Sequence, residues 1–271
     1  MANKTKRYDL KAADRRRSRL IQIGLTAVVI LFAVGMVLLI VKPWEPKVTA
    51  HSITVAAQDK LIKSPDGKPK AVLSMYEDFL CPVCGGFERD LGPTVKELIK
   101  TGAVQADYFM VAILDRGHDG YSSRAGNAAY CVADADTTAT KEAFGRFHER
   151  LYAQQPGETD ASYPQNADMI EKARVAGVAS SALSDCINND KYLKMVKGLA
   201  QSEGVEATPT IRINGKPFSY VPPGNPNGKA TTPEDLIKAV TDITGPVPGL
   251  TAAPPIPPAP APPTGPPPAA P

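Results

Sequence analysis

The chain has few cysteines and histidines, the usual ligands of structural zinc. Its 271 residues include four cysteines and three histidines, and the histidines, at positions 51, 118 and 148, are scattered. A structural zinc site usually needs two Cys or His pairs at close spacing. The sequence has one such pair, Cys81 and Cys84, while Cys131 and Cys186 stand alone. We therefore expect no metal site.

Charge of one sign is not in large excess. The formal net charge is +3, yet residues 1–19 alone hold eight basic and two acidic residues, a net of +6. The remainder of the chain therefore carries −3. Because the basic balance comes from the N-terminal segment, it gives no reason to expect nucleic-acid binding.

Residues 20–41 lack charge altogether. As a helix, this apolar run would extend about 33 Å, enough to cross a membrane, and the basic flank would keep residues 1–19 in the cytoplasm. We expect a single-pass signal-anchor in the cell membrane, with the rest of the chain in the extracytoplasmic cell envelope. The alternative is a signal peptide cleaved after Val48-Thr49-Ala50. The long apolar run favours an uncleaved anchor.

Composition divides the rest of the chain. A linker at 42–54 precedes a domain at 55–245, and residues 246–271, with 13 of the 27 prolines, are expected to form a disordered, polyproline-like tail. Residues 119–203 show almost no strand signal, which predicts a helical insertion within the domain.

The motif Cys81-Pro82-Val83-Cys84 follows a strand-like run at 71–76 and opens a helical pattern. A helix N-terminus favours a thiolate at Cys81, and Cys84, one turn further on, could resolve a mixed disulfide. This placement predicts a redox-active dithiol.

The order of predicted elements indicates an α/β fold of the α+β layered kind. A strand, a helix at 83–98 with a kink at Pro93, and a strand at 104–114 form a βαβ unit. Asn214-Gly215 joins two further strands, and Thr232 caps a final helix at 236–243. The predicted helices of the insertion are 123–135, 140–152, 165–176, 180–187 and 191–203.

This order, the stretch Phe79 to Cys84 and the stretch Ala207-Thr208-Pro209-Thr210 resemble a thioredoxin-fold protein of the DsbA type, as found in membrane-anchored oxidoreductases of actinobacteria. The resemblance covers about residues 50–250. It implies a cis bond between Thr208 and Pro209, with Pro209 facing the dithiol as part of the catalytic site. The backbone of Thr208, together with Pro82 and Val83, is expected to contact substrate.

The resemblance further implies a thiol-disulfide oxidoreductase that introduces disulfides into reduced secreted proteins, without a bound cofactor. A quinone-linked membrane enzyme of the vitamin K epoxide reductase type would reoxidise it. Val83 replaces the histidine of strongly oxidising relatives, so a reductase or isomerase stays an alternative. A thioredoxin-like chaperone or binding module is another.

The sequence also predicts roles for two further pairs of residues. Cys131 and Cys186 are interpreted as a structural disulfide, because extracytoplasmic thiols tend to be oxidised; two buried free thiols or a second redox pair are the alternatives. Glu77 and Asp78, just before Cys81, are candidate proton shuttles, although acids at a strand end near the surface are often merely solvated.

Overall fold

The computed structural model describes residues 10–41, 51–226 and 228–250, with side chains of the first helix described for 21–36. The chain divides into two units, Met1–Lys47 and Val48–Pro271. Helix α1, Leu10–Val41, belongs to the first unit. No helix in the described part of the chain is sufficiently long and apolar to cross a membrane, and the predicted span stays a prediction.

Other sequence predictions fall on undescribed residues. The beginning of the basic segment (1–9), most of the linker with the alternative cleavage site (42–50) and most of the proline-rich tail (251–271) lie outside the described residues.

A five-stranded mixed sheet organises the second unit, in the order β1-β3-β2-β4-β5. Its strands are β1 Ile53–Val55, β2 Val72–Glu77, β3 Gln105–Met110, β4 Thr210–Ile213 and β5 Lys216–Phe218. Strand β2 is parallel to β3 and antiparallel to β4, so the predicted βαβ unit and hairpin share one sheet. Strand β1, antiparallel to β3, was not predicted, because most of its three residues fell within the expected linker.

The helical pattern after the dithiol forms two helices, not the single kinked helix expected. Helix α2 spans Pro82–Asp90 and α3 spans Gly92–Lys100, with the break at Leu91. Pro93 lies in the first turn of α3, where its missing N–H costs no intrahelical hydrogen bond. The proline therefore starts a new helix.

The predicted helical insertion is present. It comprises α4 Tyr121–Ala135, α5 Glu142–Ala153, α6 Asn166–Val175, α7 Ser181–Asn188 and α8 Leu193–Ser202. A disulfide joins Cys131 on α4 to Cys186 on α7, with a Cα–Cα distance of 5.8 Å, as the sequence predicted. The last helix, α9, is Pro233–Thr244, and Thr232 and Asp235 form a capping box at its start.

Fully buried side chains pack on both sides of the segment that carries the dithiol. Leu73 and Met75 of β2 are fully buried, as are Phe79 just after the strand and Phe87 of α2. Full burial of side chains of this size stabilises the fold by about 2 kcal/mol each. The end of β2 and the start of α2 are thereby held at a fixed position, which the functional chemistry needs.

Candidate active site

Cys81 occupies the N-cap position of α2, at the junction of the strand and the helix. Pro82 begins the helix, where its fixed φ suits the first turn. Cys81 is 6% exposed and Cys84 is fully buried, and both carry free thiols. The two cysteines are therefore unequal, and Cys81 is the one that an incoming thiol or disulfide can reach.

The surroundings of Cys81 stabilise its thiolate. A hydrogen bond from the Cys84 thiol contributes most to lowering the pKa of Cys81 from 9.0 to about 6, against the opposing effect of burial. The Thr208 side chain and the backbone N–H groups of Val83 and Cys84 add to this effect. Those N–H groups belong to the first turn of α2, where donors lack intrahelical partners. Cys81 is thus ionised near neutral pH.

Cys84 behaves in the opposite way. Burial raises the pKa of its thiol well above the ordinary value, and the hydrogen bond to Cys81 and the nearby carboxylate of Glu77 raise it further. Cys84 therefore keeps its proton when Cys81 is a thiolate. To act as a nucleophile, Cys84 needs a group that accepts this proton.

The loop before β4 faces the dithiol, as expected. The bond between Thr208 and Pro209 is cis. When protonated, the Cys81 thiol donates a hydrogen bond to the carbonyl oxygen of Thr208, which lies 3.3 Å from the sulfur. Pro82 and Val83 are exposed beside this contact, and Val83 is 42% exposed although it is apolar. An accessible sulfur, an exposed apolar residue and a loop backbone therefore meet at one surface.

Glu77 is fully buried, which differs from the solvated strand end considered in the sequence analysis. Its Oε2 atom lies 3.0 Å from Nε2 of His148 on α5. Nδ1 of His148 lies 3.8 Å from Oε2 of Glu88 on α2. Burial is the main cause that raises the pKa of Glu77 and of Glu88 from 4.5 to about 8, and it lowers the pKa of His148. Near neutral pH this network therefore contains carboxyl groups that readily gain or lose a proton.

Asp78 is buried too, but its carboxylate is committed to the backbone. Oδ1 accepts a hydrogen bond of 2.9 Å from the N–H of Leu80, and Oδ2 accepts one of 2.9 Å from the N–H of Leu114. These bonds tie the loop that carries Cys81 to the segment after β3. Asp78 therefore acts as an anchor of the active-site loop.

A protein-family model described as thioredoxin matches residues 66–242. The chain belongs to the thioredoxin family.

Two similar solved structures are from Mycobacterium tuberculosis. The reduced disulfide bond oxidoreductase DsbG is 47% identical, with 73% of this chain and 90% of the other covered and a TM-score of 0.66. Oxidised DsbA is also 47% identical, with 74% and 96% covered and a TM-score of 0.66. At this identity and coverage, the chain is a DsbA-like thiol-disulfide oxidoreductase.

A more distant relative shares the fold. MdbA, a thiol-disulfide oxidoreductase from Corynebacterium matruchotii, is 23% identical over 64% of this chain and 85% of its own, with a TM-score of 0.52. Among curated proteins, no sequence matches this chain.

Several residues that shape this thioredoxin-family site were not predicted. Nε2 of Gln155, just after α5, donates hydrogen bonds of 3.0 Å to the carbonyl oxygen of Phe79 and 2.9 Å to that of Cys81. His148 and Glu88 were not identified either. Nothing in the local sequence marks these residues, because their proximity to the dithiol depends on how the insertion packs against α2.

The described residues also contain a group of potential metal-ligand atoms within the family's fold. One atom each of Glu77, Glu88 and His148 lies within 4.8 Å of the others. Nε2 of His148 lies 3.0 Å from Glu77, in a hydrogen bond, and Nδ1 lies 3.8 Å from Glu88. We therefore interpret this group as a cluster of buried polar side chains that contact one another.

Proposed function

We propose that this oxidoreductase donates a Cys81–Cys84 disulfide to reduced proteins outside the cytoplasm. The observation that carries the proposal is the position of the free thiol of Cys81 at the N-cap of α2, where the Cys84 thiol and the helix N-terminus lower its pKa to about 6. A stable thiolate favours the reduced dithiol, and an enzyme whose reduced form is stabilised is an oxidant of other thiols. A low thiol pKa also makes Cys81 a good leaving group when substrate is released.

The reaction follows from the unequal cysteines. A substrate thiolate attacks the sulfur of Cys81, the Cys81–Cys84 bond breaks, and the sulfur of Cys84 leaves with the electron pair and takes up a proton. A second substrate thiolate then attacks the substrate sulfur of the mixed disulfide, and Cys81 leaves as a thiolate. The substrate loses two electrons and gains one disulfide, while the enzyme becomes the dithiol.

Glu77 is proposed as the group that exchanges the proton with Cys84. Its carboxylate lies close enough to raise the pKa of the Cys84 thiol. Because the pKa of Glu77 is about 8, the group both donates and accepts a proton near neutral pH. Asp78 is the next residue in the sequence. Its carboxylate already accepts two backbone hydrogen bonds, so we assign it to anchoring the loop and not to proton exchange.

The substrate surface is proposed to centre on the loop of Thr208 and Pro209. An extended substrate segment would pair with the backbone of Thr208 and place its cysteine beside Cys81. The exposed side chains of Pro82 and Val83 would contact the neighbouring apolar residues of that segment. Backbone pairing suits an enzyme that accepts many protein sequences.

The location is proposed to be the outer face of the cell membrane, with α1 as anchor. Support comes from the uncharged run at 20–41, the basic segment before it and the exposure of large apolar side chains along α1 at 21–36. The Cys131–Cys186 disulfide adds support, because structural disulfides persist mainly in oxidising compartments. External protease applied to intact cells should then remove the domain; complete protection of the domain would contradict this location.

Each turnover leaves a dithiol, so the enzyme needs an electron acceptor. We propose a membrane reoxidase of the vitamin K epoxide reductase type, which passes the electrons to a quinone. An anchor in the same membrane would keep the two proteins close. Deleting such a reoxidase should cause the reduced form to accumulate in cells.

The test of the function compares two assays. In the first, the oxidised protein is mixed with a reduced, unfolded protein whose activity needs disulfides; in the second, the reduced protein is assayed for insulin reduction. An oxidant accelerates the first reaction more than the second. A protein that is active only on insulin would be a reductase, and one inactive in both would be a binding module, and either result overturns the proposal.

A further inference from the structure

A network of three buried residues connects the dithiol region with a second surface of the protein. Glu77 ends β2, Glu88 lies on α2 and His148 lies on α5, so three separate elements contribute one residue each. The ring of His148 lies between the carboxyl groups, with Nε2 at 3.0 Å from Glu77 and Nδ1 at 3.8 Å from Glu88. A ring placed in this way can receive a proton on one nitrogen and release one from the other.

The two carboxyl groups do not have the partners that two buried charges would need. Oε1 of Glu77 and Oε1 of Glu88 are buried, and no donor group from another residue reaches either atom. One oxygen of Glu77 and one of Glu88 lie within 4.8 Å of each other and of a ring nitrogen of His148. Two adjacent buried carboxyl groups strongly disfavour double ionisation. The two carboxyl groups together therefore hold at least one proton.

Glu88 and His148 line an open cleft of about 590 Å³, whereas Glu77 does not. Among the described residues that line this cleft, neither Cys81 nor Thr208 is present. The cleft is therefore distinct from the surface where the Cys81 sulfur meets the Thr208 loop.

We propose that Glu88 and His148 form a proton route that connects Glu77, the proposed proton-exchange partner of Cys84, with water in this cleft. The inference rests on the proposed role of Glu77. It adds a path by which the proton reaches water at a surface that a bound substrate does not cover. When a protein partner covers the surface around Cys81, the proton of Cys84 can still enter or leave through the cleft. Glu88 and His148 are positioning residues, since they act on the reacting sulfur through Glu77.

The other charged and titratable groups around the network are not expected to carry the proton. They are Lys96 on α3, Tyr108 on β3, and Glu149 and Tyr152 on α5. Burial raises the pKa of both tyrosines well above the ordinary value, so they stay neutral. Lys96 pairs with Glu149, and both side chains are partly exposed at the cleft. Glu88 and His148 therefore remain as the buried proton carriers beyond Glu77.

Cys84 loses its proton during reoxidation of the dithiol. Cys81 first forms a mixed disulfide with an oxidant disulfide, and one thiolate leaves. The S–H bond of Cys84 then breaks, its proton passes to the carboxylate of Glu77, and the Cys84 sulfur attacks Cys81. A disulfide forms, and the second oxidant thiolate leaves with the electron pair. The Glu77 proton moves on through His148 and Glu88 to water.

The two steps can be measured separately when reduced protein reacts with glutathione disulfide in stopped-flow experiments. Glu88→Gln should slow the second step by about 10-fold or more at neutral pH, change its pH profile and leave the first step unaltered. His148→Phe keeps an aromatic ring in the same packing and should have the same effect. Glu97→Gln removes another carboxylate that lines the cleft and should change neither step.

Rescue by a small carboxylic acid distinguishes proton transfer from a purely structural role, because an added acid can replace a lost proton carrier but not a lost packing contact. Formate should restore the second step in Glu88→Ala, because the open cleft admits it, and should leave the rates of Glu97→Ala unchanged. This rescue also decides the case if Glu88→Gln folds poorly. Equal slowing of both steps, an unchanged second step in Glu88→Gln, or a pH profile that shifts with added zinc or EDTA would overturn the proton route. If the unmutated reduced protein does not form the mixed disulfide with glutathione at all, the proposed function would be contradicted instead.

Discussion

The sulfur of Cys81 lies 3.3 Å from the carbonyl oxygen of Thr208, a residue 127 positions further along the chain. The sheet creates this contact, because β2 leads to Cys81, the loop of Thr208 leads into β4, and Tyr76 of β2 pairs with Thr210 of β4. The nucleophile and the loop proposed to bind substrate are therefore positioned by the same pair of strands.

Thr208 should tune the reactivity of Cys81 through its hydroxyl group. A hydrogen bond from the Thr208 side chain lowers the pKa of Cys81. Thr208→Val preserves the shape and removes the hydroxyl, so the pKa of Cys81 should rise, whereas Thr208→Ser should preserve most of the effect. Thiolate absorbance measured across pH in the reduced proteins tests this. Equal values for the valine and serine variants would contradict the role.

The Cys84 thiol should make the larger contribution to the same pKa. Cys84→Ala removes the donor that most strongly lowers the pKa of Cys81, and the thiolate should then appear only at clearly higher pH. Cys84→Ser retains a hydroxyl donor and should resemble the unmutated protein more closely. Titration of the single remaining active-site thiol provides the measurement. An alanine variant with the pKa still at about 6 would assign the stabilisation to other groups.

Different roles for the two cysteines also predict different trapped species. Cys81→Ser should lose disulfide transfer, because Cys84 is fully buried. Cys84→Ser should still react through Cys81 and accumulate mixed disulfides with its substrates. Non-reducing electrophoresis detects these adducts. Adducts formed at Cys84 in the Cys81→Ser protein would contradict this order of attack.

Stability should depend on pH through the buried carboxyl pair. The pKa of Glu88 rises from 4.5 to about 8 on folding, so the folded protein holds the proton more tightly than the unfolded chain. This contribution is fully present below about pH 4.5 and is lost as the pH rises through 8. Glu88→Gln should therefore flatten the fall in unfolding free energy across this window. Urea unfolding of the oxidised proteins measures it, with Glu97→Gln as a control that should keep the slope.

The disulfide of the insertion should stabilise the fold without taking part in transfer. It closes a loop with a sequence separation of 55, for which the chain-entropy model gives about 4 kcal/mol. The double variant Cys131→Ala with Cys186→Ala should lose stability of that order in urea unfolding, while Cys81 should react with alkylating agents at an unchanged rate. Unaltered stability, or a strong loss of Cys81 reactivity, would contradict a structural role.

The sequence was sufficient for features that depend on local signals. The position of Cys81 at a helix start follows from a strand-like run, a proline and helical spacing within a few residues of one another. The Asn214-Gly215 turn and the Thr232 cap have equally local signals, and both are present. The family resemblance added the loop of Thr208 and Pro209, which no local pattern connects with the dithiol.

The rest of the site depends on tertiary packing. The burial of Glu77 is set by α2 and α5 together, and a strand end gives no indication of it. Gln155 reaches the carbonyl oxygen of Cys81 only because the insertion folds back over the active-site loop. The break between α2 and α3 shows a similar limit, since Pro93 is compatible with a kink as well as with a new helix start.

The reduction potential of the Cys81–Cys84 pair tests the central claim most directly. Equilibration of the protein with glutathione buffers, followed by alkylation and mass analysis, gives this potential. Because the environment of Cys81 stabilises its thiolate, the account predicts a value above about −200 mV, in the range of disulfide donors. A value near that of thioredoxin, about −270 mV, would show that the dithiol is poised to reduce its partners, and would contradict the proposed function.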